Sequence, residues 1–334
     1  MFVAADSGGG VLAAWQAERG LERVVCDADS GGSAAKLEVP CGGDGSYPVV
    51  RVEGGSQAAA SADADKAYDW IGATEEFYRR YTDAGSLTDM IGIDAGDGRG
   101  KALRATVRVC VEACPYANAY WTGEQGLVVG SAVLGLDVVA HELTHGVTDR
   151  TSGLNYLNEP GAINESMSDV FGELTELSGK TPRAADRWKI GNGTEVGVIR
   201  DMRSPGSAPD PQPETYKGRG WVPATHSVGR PAPDNGGVHT NSGVGNKLAF
   251  LITDGGAIGG HTVEGIGLEK AASLYWTVQT QLYPGADYPA LATTLLTVCR
   301  NNIGDKVAGF TESDCGRVRK AVEAVRIPLL ANRV

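Results

Sequence analysis

The chain has 334 residues, of which 42% are hydrophobic and 21% are charged. This length supports a large buried core, and the composition is ordinary for a globular enzyme. The formal net charge of −11 argues against nucleic acid as a partner, because binding a phosphate backbone requires clustered Lys and Arg. No apolar run reaches the roughly 18–20 residues needed to cross a bilayer, so we expect no membrane partner either.

The first part of the chain has mainly strand-like patterns. Residues 1–60 mix Gly and Ser with short alternating runs such as Tyr47–Val52, which indicates strands joined by turns. Between Ala64 and Tyr81 the apolar residues recur at helical spacing, and Ala102–Val111 is β-like again. We therefore predict a β-rich N-terminal domain over residues 1–134.

The second part is predicted to be mainly helical. Leu134–Thr148 carries a long apolar stripe without proline, and Asn164–Leu177 is a second clear helix. Pro, Gly and Asp make residues 200–237 an irregular surface stretch. Further helices are predicted at about 244–253, 264–281, 287–302 and 312–325. The fold class is therefore α+β, with a central helix and an α-helical C-terminal domain over residues 135–334.

The six cysteines fall into three pairs that are close in sequence: Cys26 with Cys41, Cys110 with Cys114, and Cys299 with Cys315. Six cysteines permit 15 connectivities, and loop-closure entropy favours this local pairing. Buried free thiols and a metal site at the middle pair are the alternatives. Because no second cysteine pair or nearby histidine completes a four-ligand set, we favour disulfides and an oxidising compartment.

The segment His141–His145 reads HELTH. Residues four apart on a helix lie on one face, so His141 and His145 can bind one metal ion while Glu142 is turned partly aside. Neutral imidazole is a good zinc ligand, and catalytic zinc typically takes three protein ligands plus water. The alternative is a surface helix with two unrelated histidines, but a chain with five histidines rarely has this spacing by chance.

The third ligand is predicted to be Glu165, which lies 20 residues after His145. That separation allows a turn and a return on an antiparallel helix. Asp169 follows one helical turn later, where it can accept the second N–H of a ligating histidine. As an alternative, both acids only stabilise a helix N-terminus. We expect one catalytic Zn²⁺.

The zinc motif is one of several motifs in a fixed order. It continues as HELTHGVT over 141–148, followed by Asn155-Tyr156, by GAINE over 161–165 and by Ser168-Asp169. NAYW over 118–121, DNGGVH over 234–239 and NSG over 241–243 complete the series. From about Ala67 to about Leu296, the chain resembles the thermolysin family of secreted metallopeptidases, in particular its vibriolysin-like branch.

This resemblance implies a zinc-dependent endopeptidase whose active-site cleft and zinc-binding helix lie between the two lobes. Glu142 matches the general base, and Tyr156 and His239 match the donors that stabilise the oxyanion. Asp234 matches the carboxylate that orients His239. Asn164, like Asp169, supports the histidine ligands.

The resemblance also implies that proteins and peptides are the substrates. Asn118, Ala119 and Tyr120 match the strand that binds an extended peptide. Arg200 matches the arginine that binds the carbonyl beyond the scissile bond. The pocket after that bond is expected to be lined by Val138, Ile190 and Ile199. We therefore expect cleavage before large apolar residues.

The resemblance also implies a calcium ion near the two active-site helices, where hard carboxylates suit this ion. The candidate ligands are Asp137, Glu173, Glu176 and Asp186. Lys189 and Asn192 stand where a second site would be completed, so we expect one Ca²⁺ rather than two. The alternative is a solvated acidic helix face.

We expect a secreted, monomeric, mature chain whose signal peptide and propeptide have been removed. The first residues, Met1–Asp6, have neither the basic nor the apolar region of a signal peptide. The segment 221–233 is an insertion relative to the family. His226 and His261 match no motif, and we expect them at the surface.

Three rival functions deserve comparison. A zinc aminopeptidase would carry a Gly-x-Met-Glu-Asn segment, which is missing here. A catalytically inactive, peptidase-like binding homologue should have lost Glu142, Tyr156 or His239, yet all three are present. A structural zinc module would have four protein ligands rather than three.

Overall fold

The computed structural model describes residues 20–58, 61–111, 113–179, 184–224 and 233–330. The chain divides into two compact units, residues 1–134 and 135–334. That these are separate domains stays a prediction. Met1–Asp6, His226 and most of the 221–233 insertion lie outside the described residues.

The first unit is built on a six-stranded sheet. Its strands are β1 (Arg23–Asp27), β2 (Val49–Val52), β3 (Ile93–Asp94), β4 (Lys101–Val107), β5 (Ala119–Thr122) and β6 (Gly126–Val129). The order is β2-β1-β4-β6-β5, and β3 pairs with β4. The β1–β4 and β4–β6 pairs are parallel, whereas β2, β3 and β5 run antiparallel to their partners.

Burial explains why the inner strands lack clear alternation. All five residues of β1 and all but Lys101 of β4 are buried, as expected for strands covered on both faces. The described residues of this unit also form three helices: α1 (Ala34–Leu37), α2 (Ala62–Tyr81) and α3 (Leu87–Ile91). The prediction of strands and one long helix is confirmed, whereas α1 and α3 are too short to show a helical period.

The second unit is mainly helical. Its helices are α4 (Leu136–Arg150), α5 (Asn158–Ser178), α6 (Asp234–Thr253), α7 (Leu268–Gln281), α8 (Tyr288–Gly304) and α9 (Glu312–Ala324). Two small hairpins accompany them: β7 (Lys189–Ile190) with β8 (Arg200–Asp201), and β9 (Gly255–Ile258) with β10 (His261–Glu264). No helix in the described part of the chain is long and apolar enough to cross a membrane.

The predicted helices are confirmed in type, but several boundaries differ. Helix α5 begins at Asn158 rather than Asn164, and α7 begins at Leu268 rather than 264. The β9–β10 hairpin occupies the interval between the helices predicted at about 244–253 and 264–281. Its glycines give no apolar alternation, so the strands were not recognised.

All three predicted disulfides are present: Cys26–Cys41, Cys110–Cys114 and Cys299–Cys315. Because no cysteine is free, the alternatives of buried thiols and of a metal site at the middle pair are excluded. The third bridge joins α8 to α9, and the first joins β1 to the segment after α1.

Glycines let α4, α5 and α6 approach one another closely. A Cβ at Gly172 of α5 would lie 2.6 Å from the carbonyl oxygen of Asp137 on α4. A Cβ at Gly245 of α6 would lie 2.2 Å from Oγ of Ser166 on α5. Close helix approach at small residues brings the side chains of all three helices within hydrogen-bonding reach.

Candidate active site

Two helices supply a three-residue cluster that can hold a metal ion. His141 and His145 lie on α4, and Glu165 lies on α5. Their ligand atoms all lie within 4.8 Å of one another, and no other set of three His, Cys, Asp or Glu residues in the described chain meets that criterion. Helical spacing places both imidazoles on one face of α4, and the adjacent antiparallel helix brings the carboxylate to them.

The spacing of the ligand atoms fits zinc. The two imidazole Nε2 atoms lie 3.1 Å apart. The Glu165 oxygens lie 3.5 Å from Nε2 of His141 and 3.5 Å from Nε2 of His145. Zinc bonds of about 2.0–2.1 Å at tetrahedral angles would place ligand atoms about 3.3 Å apart. Two imidazoles and one carboxylate are also a donor set typical of catalytic zinc.

Asp169 orients the His141 ring. Nδ1 of His141 donates to Oδ1 of Asp169 over 2.8 Å, so Nε2 is the nitrogen that faces the cluster and is available to a metal ion. Asp169 is fully buried, and it accepts three more hydrogen bonds. Two come from Nε and Nη2 of Arg200, over 2.7 and 2.6 Å, and one from Nδ2 of Asn246, over 2.7 Å.

His145 is oriented by its own pair of polar side chains. Its Nδ1 donates to Oδ1 of Asn164 over 2.8 Å, and Oγ of Ser168 lies 3.3 Å from the same nitrogen. Asn164 is in turn held by Leu154, whose carbonyl oxygen accepts from Nδ2 over 3.2 Å. Both imidazoles therefore present Nε2 to the cluster.

The electrostatics favour a bound positive charge. Burial opposes ionisation of Glu165, but the His141 hydrogen bond and the nearby imidazoles hold its pKa well below the usual range. Burial is likewise outweighed at Asp169, where the Arg200 charge and the His141 hydrogen bond lower the pKa to about 2. Burial would lower the pKa of His141, yet hydrogen bonds to Asp169 and Glu165 raise it to about 10. A cation can replace that proton.

Tyr156 and His239 converge on Glu165. The Tyr156 hydroxyl donates to Oε1 of Glu165 and lies 3.1 Å from Nε2 of His239. That nitrogen is itself 3.4 Å from Oε1 of Glu165. Tyr156 and His239 are separated by 83 residues in sequence, yet their polar atoms meet at one carboxylate oxygen.

A left-handed turn at the start of α6 orients His239. Asp234, Asn235, Gly236 and Gly237 have φ values of 52°, 45°, 81° and 88°, a conformation that Asp, Asn and Gly tolerate best. The turn lets Asp234 accept from the backbone N–H groups of His239 and Thr240, over 3.2 and 3.0 Å. Oδ1 of Asp234 also lies 2.6 Å from Nδ1 of His239.

These contacts determine the protonation state of Asp234. Burial raises the pKa of its carboxyl group, but the hydrogen bonds from His239 and Thr240 outweigh it, so the pKa is lowered. Asp234 is therefore an anion that accepts a hydrogen bond from Nδ1 of His239, and Nε2 of His239 lies toward Glu165.

Glu142 and Arg200 complete the surroundings of the cluster. Glu142 is buried on α4, and its charge helps to raise the pKa of both Tyr156 and Arg200. Burial disfavours the charged guanidinium of Arg200, but the Asp169 charge outweighs it and raises the pKa. Nη1 of Arg200 makes no hydrogen bond within the described residues, whereas Nε and Nη2 bind Asp169.

The predicted substrate-contact residues lie in both units. In the second unit, Ile190 on β7 is paired with Arg200, and its carbonyl oxygen accepts from the Ile199 N–H over 2.8 Å. Val138 lies on α4 and is buried. In the first unit, Asn118 precedes β5, and Ala119 and Tyr120 belong to it. Strand β5 lies at the end of the sheet order.

Three of the predicted calcium ligands influence one another. Asp137 accepts from Gly191 and Val138, over 2.5 and 2.9 Å. Glu173 accepts from Trp188 through Oε1, and its buried Oε2 has no hydrogen-bond partner within the described residues. Burial and neighbouring carboxylates raise the pKa of Asp137 and Glu173, and that of Glu176 to about 7. The nearby charge of Asp186 also raises the pKa of Glu176.

Sequence reasoning assigned no role to several residues that contact the site. Asn246 donates to Asp169, and Ser168 lies beside His145. Gln212 is a third such residue: its side-chain amide Nε2 donates to the His239 carbonyl oxygen over 2.5 Å. Asn246 could have been found from its position seven residues after His239 on one helix face. Gln212 lies in an irregular stretch and gives no such signal.

The arrangement has counterparts among known proteins. Residues 152–327, just over half of the chain, match the family model described as "Thermolysin metallopeptidase, alpha-helical domain". The chain belongs to the thermolysin metallopeptidase family. Residues 56–149 match the model described as "Thermolysin metallopeptidase, catalytic domain". The family predicted from the motifs is therefore confirmed.

Individual relatives agree with this assignment. A "Zinc metalloproteinase" of Renibacterium salmoninarum is 46% identical over 98% of this chain and 61% of its own length. A "Bacillolysin" of Bacillus cereus is 36% identical over 68% of this chain and 38% of its own. Our chain thus spans less than two thirds of these relatives.

A solved structure has the same fold. The "Precursor of Protealysin, Metalloproteinase from Serratia proteamaculans" has a TM-score of 0.66 and 26% sequence identity. The similarity covers 98% of our chain and 90% of that one. It supports the mixed fold, with a β-rich N-terminal region and a helical C-terminal region.

Proposed function

We propose that this protein is a zinc-dependent endopeptidase. The observation that carries the proposal is the convergence of Tyr156 and His239 on the cluster of His141, His145 and Glu165. A structural metal site has no need of two further polar donors aimed at a ligand. Donors beside an open metal site are what a developing oxyanion requires.

The bound zinc ion would polarise the scissile carbonyl and lower the pKa of the attacking water. Glu142 is the general base that accepts a proton from this water and later passes it to the leaving amine. Its buried position on the ligand helix suits this role. Asp169 and Asn164 hold the tautomers that make His141 and His145 ligands.

Tyr156 and His239 donate to the oxyanion of the tetrahedral intermediate. Burial and the Glu165 charge raise the pKa of Tyr156, so its hydroxyl keeps its proton at neutral pH. Because Nδ1 of His239 donates to Asp234, Nε2 can donate only from the imidazolium form, whose charge the Asp234 carboxylate stabilises. Both donors act only once charge develops on the substrate oxygen.

The substrate is an extended polypeptide. We assign Asn118, Ala119 and Tyr120 to its backbone, because β5 is a terminal strand of its sheet and peptides bind such strands by strand addition. Nη1 of Arg200 is assigned to a substrate carbonyl. Val138, Ile190 and Ile199 are assigned to an apolar pocket after the scissile bond, which would favour Leu, Phe, Ile or Val there.

We further propose one structural calcium ion at Asp137, Glu173, Glu176 and Asp186. The buried, unpartnered Oε2 of Glu173 supports it, since a buried carboxylate oxygen without a donor is costly unless a cation binds it. Burial first, and neighbouring carboxylates second, raise the pKa of Asp137, Glu173 and Glu176, and a bound cation would favour their charged forms.

Secretion and removal of a propeptide are also proposed. The disulfides suit an oxidising compartment, and the structural relative from Serratia proteamaculans is described as a precursor. We propose that the mature protein is a monomer.

Casein hydrolysis by the wild type and by Glu142→Gln tests this function. The variant should lose at least about 100-fold in kcat, while it binds one zinc ion per chain and melts like the wild type. Glu195→Gln, a change at an exposed acid, is the control and should keep full activity. Removal of zinc with o-phenanthroline should stop hydrolysis, and added zinc should restore it.

Two outcomes would contradict the proposal. Full hydrolysis by Glu142→Gln would remove the general base from the mechanism. A wild type that binds zinc but cleaves no peptide would support the alternative, an inactive homologue that only binds its partners.

A further inference from the structure

We propose that Asn246 is a positioning residue for the zinc site: its amide holds the Asp169 carboxylate in the orientation that makes His141 a ligand. The contact is Nδ2 of Asn246 to Oδ2 of Asp169 over 2.7 Å, and both residues are fully buried. Asp169 then accepts from His141 through Oδ1. This inference rests on the proposed function only in that the cluster binds zinc.

Asn246 completes the set of donors around Asp169. A carboxylate has about four acceptor positions. His141 and Nη2 of Arg200 use Oδ1, whereas Nε of Arg200 and Asn246 use Oδ2. Without Asn246, Oδ2 keeps only the Arg200 bond. Arg200 and His141 still hold the carboxylate, but without the Asn246 donor it can tilt toward Arg200, which changes the direction in which it receives the His141 N–H.

The position of Asn246 on α6 couples two parts of the site. It follows His239 by seven residues, which is two helical turns to within about 20°. One face of α6 therefore carries both His239, which reaches Glu165, and Asn246, which reaches Asp169. Gly245 lets this face approach α5, because a side chain there would collide with Ser166. Asn246 thus links α6 to the ligand on α4 through Asp169.

The other half of the amide argues against a role in stability alone. Oδ1 of Asn246 is buried and has no hydrogen-bond partner within the described residues. The amide cannot be turned around, because a carboxylate only accepts and so requires Nδ2. A buried, unsatisfied oxygen destabilises a fold. An apolar residue of similar size should therefore be tolerated by the fold and still weaken zinc binding.

The test is a Zn²⁺ titration of the full chain in competition with a chromophoric chelator. Asn246→Leu should raise the Kd for zinc about 10-fold, the low end for losing an outer contact of a metal site. The metal-free variant should melt at or above the wild-type temperature. Co²⁺ bound in place of zinc should show an altered visible absorption spectrum. If Asn246→Leu does not fold, Asn246→Ala replaces it.

The matched control is Asn302→Leu. Asn302 is also a buried helical asparagine with one unsatisfied amide atom, Nδ2, but it lies on α8. Its replacement should leave the Kd for zinc unchanged. In an Asp169→Asn background, Asn246→Leu should add no further loss, because its partner is already altered.

Three results would overturn the inference: an Asn246 variant whose Kd stays within twofold of wild type, an equal loss in Asn302→Leu, or additive losses with Asp169→Asn. A wild type that binds no zinc would contradict this inference and the proposed function together. A wild type that binds zinc and cleaves no peptide contradicts only the proposed function, since the titration needs no substrate.

Discussion

Tyr156 illustrates how one side chain acquires a role from its neighbours. The residue is 42% exposed, yet its hydroxyl contacts Glu165 and lies beside His239. Burial of the hydroxyl and the Glu165 charge raise its pKa, so it is a donor at any working pH. The motif alone predicted Tyr156, and the raised pKa of its hydroxyl explains why it can act as a hydrogen-bond donor.

We predict that Tyr156→Phe lowers kcat by about 10²–10³-fold and leaves KM nearly unchanged. The hydroxyl is expected to act on charge that develops after substrate binding, so ground-state binding should not need it. Steady-state kinetics on a peptide substrate measure both constants. Tyr283→Phe, at a 53% exposed ring, is the control. A rise in KM with unchanged kcat would contradict the assigned role.

Glu75 provides a prediction about pH that does not involve the site. It lies on α2, is buried, and accepts from the Leu87 N–H over 2.8 Å. Burial raises its pKa to about 7, despite the Leu87 hydrogen bond that lowers it. Because the folded state favours the protonated acid, Glu75 contributes stability that is fully present below its ordinary pKa of 4.5. That stability is lost as the pH rises through about 7.

Glu75→Gln keeps an acceptor for Leu87 and cannot ionise. We predict that its free energy of unfolding exceeds that of wild type by an amount that grows between pH 4.5 and 7, to at most about 3 kcal/mol. Urea unfolding at pH 5 and pH 8 would measure this. Glu76→Gln, at a neighbour whose side chain is 43% accessible and is paired with Arg79, reports the effect of removing a nearby, partly exposed charge. A difference that shrinks as pH rises would contradict the argument.

At the scale of elements, the contact between α5 and α6 matters most. It brings His239 to Glu165 and Asn246 to Asp169. Its close approach depends on Gly245, where an added Cβ would lie 2.2 Å from Oγ and 2.8 Å from Cβ of Ser166. Glycine normally weakens a helix, so here packing outweighs propensity.

Two glycine substitutions of opposite sign test this interpretation. Gly245→Ala should destabilise the protein by about 1–3 kcal/mol, because the helices must move apart. Gly316→Ala, on the exposed side of α9 with no atom within 4 Å of the added Cβ, should stabilise it by about 0.5–1 kcal/mol. Urea unfolding measures both. Equal effects at the two positions would show that packing against Ser166 does not decide the outcome.

At the scale of the whole molecule, the chain has a formal net charge of −11, and keeping clustered carboxylates charged in the folded state costs free energy. Asp137, Glu173 and Glu176 belong to α4 and α5, the two helices that carry the zinc ligands. Burial first, and then repulsion from neighbouring carboxylates, raises their pKa values. A bound cation would remove this cost where the active-site helices meet.

We predict that Ca²⁺ raises the melting temperature of the protein and slows its digestion by an added protease. A ligand that binds only the folded state at 100 times its Kd stabilises by about 2.7 kcal/mol. Thermal unfolding with Ca²⁺, and with Mg²⁺ for comparison, measures this. Glu173→Gln should abolish the calcium effect. An equal response of that variant would contradict the assigned site.

Much of the fold could be predicted because it depends on local patterns. The long helices show a 3.6-residue period, and the three disulfides join cysteines that are near in sequence. The β9–β10 hairpin and the early start of α6 could not be predicted. Glycines dominate both segments, and the left-handed turn at Asp234–Gly237 carries no periodic signal.

The same division applies to the site. The sequence by itself determined the family through its ordered motifs. Helical spacing predicted that His141 and His145 share a face and that Asp169 follows the ligand Glu165 by one turn, whereas Asn164 was predicted from the family resemblance. Only the tertiary structure decided that Tyr156 and His239 meet at Glu165 and that Arg200 and Asn246 share Asp169. Those meetings depend on how closely α4, α5 and α6 pack at their glycines, which no local pattern encodes.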